Sequence, residues 1–155
     1  MKIYVDADAC PVKSIIVDIA KKYDAKVIMV CDTSHIINDS YSEVITVDKA
    51  SDSADLVLIN NVKKCDIVVT QDYGVGCLAI SKGAYAVNQN GMIYSDDNID
   101  RILFERFLSK KVRNSGGKTK NISKRTKQDD EAFKVVFNSI INEVINNGSE
   151  KDWKN

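Results

Sequence analysis

Apolar residues follow two alternating rhythms along the first two thirds of the chain. Five short runs, Ile3-Tyr4-Val5, Lys26-Val27-Ile28-Met29-Val30-Cys31, Glu43-Val44-Ile45-Thr46-Val47, Asp66-Ile67-Val68-Val69-Thr70 and Ala84-Tyr85-Ala86-Val87-Asn88, are nearly continuous, brief and rich in β-branched side chains, and so predict strands. Helical spacing takes over between them. Val12, Ile15, Ile16, Ile19 and Ala20 recur at i, i+3, i+4, i+7 and i+8, and Pro11 suits the first helical position because the N–H it lacks has no partner there. Ser51 reads as the cap of a second helix bearing Ala54, Leu56, Leu58, Ile59 and Val62, with Asp52 and Asp55 in its first turn. Gly74 and Gly76 open a short third helix that Gly83 ends. Asn90-Gly91 marks a tight turn, Met92-Ile93-Tyr94 a short edge strand, and Ile99, Ile102, Leu103, Phe104 and Phe107 a fourth helix ending near Leu108.

Buried strands alternating with helices need parallel crossovers. The expected architecture for residues 1–108 is therefore a three-layer α/β/α sandwich around a mostly parallel sheet of about five strands. Residues 109–127 are charged and rich in Gly and Ser, with almost nothing to bury, and read as a basic flexible loop. Helical spacing returns in Phe133, Val136, Phe137, Ile140, Ile141, Val144 and Ile145. A C-terminal helix over 128–147 docks this face on the same domain, although the same face would equally serve a homodimer. Residues 148–155 read as a frayed tail.

Composition narrows the class. At 155 residues with 44% hydrophobic side chains the chain is long enough for one domain with a real core. No run approaches a membrane span, and the first residues carry neither the basic lead nor the apolar core of a signal peptide, so a cytoplasmic location is expected. Four scattered cysteines and one histidine are poor material for zinc or for a disulfide framework; Cys10, near a helix start, is the thiol with a reason to be acidified. The formal net charge of zero hides an asymmetry: residues 106–127 hold nine Lys and Arg and no acid. Such a stretch suits a polyanion, RNA above all, or else a solvated surface.

The acids fall at the strand ends. Asp6 and Asp8 close the first strand, Asp32 the second and Asp48 the third; Asp72 follows the fourth, and Asp52 and Asp55 open a helix. A strand-end aspartate is an ordinary turn and cap residue, and Asp32, Asp48 and Asp66 are read that way. Asp6, Asp8, Asp52, Asp55 and Asp72 instead converge on the edge where open parallel sheets bind ligands. Their repulsion is costly without a cation, and hard ions such as Mg²⁺ or Mn²⁺ take oxygen ligands, so these five are the candidate metal ligands. A carboxylate-held divalent ion can activate water against a phosphodiester, with Asp6 and Asp72 as the catalytic pair. Arg106, Arg113, Lys118 and Lys120 are candidate phosphate-backbone contacts, and Lys13 is a further one unless it is merely an exposed helical lysine.

Three stretches carry a family resemblance: Ile3-Tyr4-Val5-Asp6-Ala7-Asp8-Ala9-Cys10-Pro11-Val12-Lys13, Asp52-Ser53-Ala54-Asp55 and Ile67-Val68-Val69-Thr70-Gln71-Asp72. Together with Arg106, Arg113, Gly116-Gly117-Lys118 and Asp130-Glu131-Ala132-Phe133, they resemble the bacterial YaiI/YqxD family of uncharacterised proteins. That family is similar in core pattern to the PIN-domain-like nucleases, whose acidic cluster binds Mg²⁺ or Mn²⁺. The resemblance implies a PIN-like core with Asp6 as the first-strand acid, Asp52 or Asp55 as the helix acid and Asp72 as the acid after the fourth strand. Asp stands where that helix more commonly carries Glu, and Tyr73-Gly74-Val75-Gly76 stands where a fourth acid usually follows. Two rivals stay open: a phosphatase of the haloacid dehalogenase type using Asp6 as nucleophile, and a non-catalytic RNA-binding or regulatory module.

Overall fold

A computed structural model describes residues 1–32, 37–48, 53–118 and 123–149. The chain runs β1 (Lys2–Asp6), α1 (Lys13–Lys22), β2 (Lys26–Asp32), β3 (Glu43–Val47), α2 (Ser53–Asn61), β4 (Ile67–Val69), α3 (Tyr73–Ser81), β5 (Tyr85–Val87), α4 (Asp96–Asn114) and α5 (Lys127–Ser149). Every strand pairing in the five-stranded sheet is parallel, in the order β3-β2-β1-β4-β5. The expected α/β sandwich is therefore the observed one.

Strand pleating sorts the core onto two faces. Ile3, Val5, Val27, Met29, Cys31, Ile67 and Val69 meet α1 and α5, whereas Tyr4, Ile28, Val30 and Val68 meet α2, α3 and α4. Burial on both sides explains why the central strands read as continuous apolar runs rather than as alternating ones. The edge strand β3 is the exception, with Glu43, Val44 and Thr46 exposed. Helix α5 docks on the same domain through Phe133, Phe137, Ile140, Ile141 and Val144, all buried, with the two Phe rings stacked 5.2 Å apart. No described helix is long and apolar enough to cross a membrane.

Several local expectations change. Helix α1 begins at Lys13 rather than Pro11, because the chain first passes through Ala9 in the left-handed region (φ 55°) and a turn at residues 11 and 12. Met92-Ile93-Tyr94 forms one antiparallel bridge to Val87 rather than a strand. The largest difference lies after residue 108, the expected start of the basic loop: α4 continues to Asn114. Lysine and arginine are good helix formers, and Lys111 and Arg113 favour the negative end of the dipole. Gly116 (φ 79°) then stops the helix, with the Gly116 N–H on the Arg113 carbonyl and the Gly117 N–H on the Val112 carbonyl, the paired bonds of a Schellman motif. The Ser51 cap, His35 and residues 150–155 of the expected frayed tail lie outside the described residues.

Because α5 covers one face of the sheet through a short set of large side chains, its share of the core is measurable at single positions. Phe137→Ala is expected to lower stability by about 3–5 kcal/mol in denaturant unfolding, against less than about 0.5 kcal/mol for the exposed Val135→Ala.

Candidate functional site

From β1 the chain steps outward to β2 and β3, then returns to the other side of β1 with β4 and β5. The reversal leaves a crevice beyond the carboxyl ends of β1 and β4, the place where such sheets bind ligands. Asp6 is the last residue of β1, and Thr70 follows β4. Across the crevice the Thr70 hydroxyl donates to Asp6 Oδ2 at 2.9 Å and accepts from the Asp72 N–H at 3.0 Å. Thr70 is itself only 2% exposed, so one buried hydroxyl holds both acids in relation to each other.

Asp72 caps α3, its Oδ1 accepting from the Val75 N–H at 3.1 Å. Beneath it Tyr94 is buried, with its hydroxyl donating to the Thr70 carbonyl at 3.3 Å, and its ring lies where a Cβ on Gly76 would stand, 2.8 Å away. Burial, followed by the negative charge of Asp72, pushes the Tyr94 hydroxyl up to about 12, which keeps it a neutral donor. Asp55, in the first turn of α2, shares a 290 Å³ cavity with Asp72; Leu56 and Leu78 stand exposed on its rim.

Burial is the main reason the Asp6 carboxyl is pushed up to about 6. The Thr70 bond opposes that rise, while the charges of Asp55, Asp8 and Asp72 add to it. Four of the five sequence-predicted acids therefore share one electrostatic environment. Asp8 has a structural duty within it: its carboxylate accepts from the Asp32 N–H at 3.0 and 3.3 Å and ties the end of β1 to that of β2. Asp52 lies outside the described residues. Among the described residues no three acidic, His or Cys side chains converge closely enough to grip one ion. Mg²⁺ commonly retains several waters and takes one or two carboxylates plus substrate phosphates, and an open acidic edge of this kind fits that mode of binding rather than a closed cage.

The basic candidates divide. Lys13 is not an exposed helical lysine: its Nζ donates to the Ala7 carbonyl at 3.0 Å, placing a cation at the bend between Asp6 and Asp8. Arg106 is exposed and stacks over Tyr73 at 5.4 Å; Arg113 and Lys118 are exposed, and Lys120 lies outside the described residues. The Cys10 thiol is pushed up by burial, which overturns its reading as an acidified thiol.

Three contributors escape a reading of the sequence. Thr70 looks like the end of a strand, and Tyr94 like part of an edge. Arg125 looks like one more loop cation, yet it binds Asp130 Oδ1 (2.7 Å), Asn90 Oδ1 (3.0 Å) and the Gln89 carbonyl (2.9 Å). Gln71 adds a bond to the Ala9 carbonyl at 3.0 Å and another to Gln89.

The sequence pattern of the family described as "Uncharacterized BCR, YaiI/YqxD family" matches residues 4–143. The chain belongs to the YaiI/YqxD family. Among similar proteins, a UPF0178 protein of Ruminiclostridium cellulolyticum is 63% identical over 88% of this chain and 90% of its own. Another, from Clostridium kluyveri, is 48% identical over 99% and 100%, and one from Clostridium tetani is 53% identical over 91% and 94%. No solved structure matches. The YaiI/YqxD match spans Asp6, Asp8, Thr70, Asp72 and Tyr94, and so the whole described acidic edge.

A raised carboxyl has a signed effect on stability. Asp6 binds its proton more tightly folded than unfolded, so its contribution favours folding at low pH and is lost as pH rises toward about 6. With a chelator present, Asp6→Asn is expected to gain stability over the parent between about pH 4 and pH 6, reaching up to about 3 kcal/mol and staying level above that range. Chemical denaturation at pH 4, 5, 6 and 8 measures the trend; a pH-independent difference would show that the Asp6 carboxyl is not raised.

Proposed function

We propose that this protein is a cytoplasmic, divalent-metal-dependent nuclease that hydrolyses phosphodiester bonds in RNA or other single-stranded nucleic acid at the carboxyl edge of its sheet. The observation that carries the reading is the gathering of Asp6, Asp8, Asp55 and Asp72 at the strand-order reversal, where burial first and the charges of the other three acids second push Asp6 to about 6. A carboxyl of this kind loses its proton just below neutral pH, and perturbed groups of this sort cluster at functional sites.

Asp6, with Asp72 and Asp55, would hold Mg²⁺ or Mn²⁺; when bound, the ion supplies Lewis-acid activation of a phosphate oxygen and a more acidic water. The chain's own contribution is orientation and charge. The Thr70 hydroxyl fixes one oxygen of Asp6, and the first turn of α3 fixes one oxygen of Asp72. Asp8 closes the ends of β1 and β2 and adds negative charge, while Lys13 restrains the intervening bend. Arg106, Arg113, Lys118 and Lys120 hold the nucleic-acid backbone and limit the repulsion between two polyanionic surfaces. The engagement of Asp8 with the Asp32 amide argues against the phosphatase alternative, which needs the second aspartate available as acid and base.

Two measurements test the reading. Cleavage of a single-stranded RNA should require Mn²⁺ or Mg²⁺, stop with EDTA and fall by roughly 10²-fold or more in Asp6→Asn/Asp72→Asn. Cleavage that survives both treatments, or its absence with every metal and single-stranded substrate, removes the nuclease assignment. Replacing Arg106, Arg113, Lys118 and Lys120 by Gln is expected to weaken RNA binding and to flatten the log–log salt slope by about 0.7 for every phosphate that is no longer neutralised.

A further inference from the structure

Helix α4 meets the sheet domain with one side only. Ile102 is the buried residue of the helix, and it packs with Tyr94, Val75 and Ala79. At about 100° per residue, the opposite side of the helix carries Leu103, Phe104, Phe107 and Leu108, which are 48%, 60%, 61% and 43% exposed. Asp100 stands one turn before this quartet and Lys111 one turn after it, both exposed.

Along that face the order is Asp100, Leu103, Phe104, Phe107, Leu108, Lys111, at i, i+3, i+4, i+7, i+8 and i+11. The apolar part is the same in both directions, Leu-Phe-Phe-Leu, and its two ends carry opposite charges. Laid antiparallel on itself, the face sets Phe104 against Phe107, Leu103 against Leu108 and Asp100 against Lys111, each pair occurring twice. This is the self-complementarity of an isologous two-fold interface. A parallel copy would instead oppose Asp100 to Asp100 and Lys111 to Lys111. Asp96, Asp97 and Asp100 at the start of the helix make the face unsuitable for a nucleic acid or an anionic membrane.

We propose that this face of α4 is the seam of an antiparallel homodimer, its occupant a second copy of this chain. The four apolar side chains offer on the order of 400 Å² per copy, the size of the largest apolar patch on an ordinary monomer, which is often functional, and about half of one partner's share of a standard interface. The dimer is therefore weak and concentration-dependent, with the polar flanks of α4 supplying the remaining area. Helix α5 is not its seam, since Phe133, Phe137, Ile140 and Ile141 are already buried within one chain. Arg106, stacked on Tyr73, and Arg113 lie toward the Ile102 side, so dimerisation leaves them exposed to a ligand. The inference is independent of the nuclease reading.

Sedimentation equilibrium of the full chain over a wide concentration range tests it, with circular dichroism confirming that each variant is folded. The parent should show a monomer–dimer equilibrium, and Phe104→Ser/Phe107→Ser should be monomeric throughout. Asp100→Lys and Lys111→Asp should each weaken the dimer by about tenfold, since each places like charges opposite one another twice. The combined Asp100→Lys/Lys111→Asp variant should recover the parental dissociation constant, because the swapped charges meet again. A parent that stays monomeric up to its solubility limit overturns the proposal. So does a double swap as weak as the single ones, or an undiminished dimer in the Phe104/Phe107 variant.

Discussion

A single buried hydroxyl holds the acidic edge together. Thr70 donates to Asp6 and accepts from the Asp72 amide, so the end of β1 and the start of α3 share one atom as their common reference. The half-buried Asp6 and the exposed Asp72 repel through their charges, and nothing in their own chemistry would hold them together. The geometry survives because the parallel sheet is closed by core on both faces, leaving the strand ends few ways to move apart. Polar organisation at the edge thus depends on apolar organisation beneath it.

Much of the architecture is legible in the residue pattern. The continuous runs around Val5, Met29 and Val68 announce strands buried on both sides, and the helical spacing of Ile16 and Ile19 places α1 on one of those sides. The carboxylates can be assigned to one edge for a topological reason, since parallel strands all end on the same side. What pattern does not supply is the partner of each polar atom. Thr70 and Tyr94 sit in apolar stretches, where a hydroxyl looks like a β-former; only tertiary contact reveals that both serve the crevice.

The misreading of residues 109–114 has a different origin. Lysine-rich composition suggests absence of structure, yet long basic side chains suit the last turns of a helix, and Gly116 is the stop signal in plain view. The apolar spacing of α4 is legible, but the direction its apolar face takes is not. Its apolar spacing implies one inward face, whereas Ile102 points to the core and the Leu-Phe-Phe-Leu face points away from it. Periodicity identifies an apolar side of a helix without saying what covers it. Arg125 repeats the lesson on a smaller scale, a cation that fastens the approach to α5 through three partners.

Gly76 gives this edge its stiffness. With no Cβ in the way, α3 lies directly against the Tyr94 ring, and the same ring carries the hydroxyl that holds the Thr70 carbonyl. Helix, ring and strand end are packed against one another, so a change in the spacing of Asp6 and Asp72 must displace a packed aromatic side chain. A ligand placed between those carboxylates would meet a surface whose ordering entropy was lost when the chain folded.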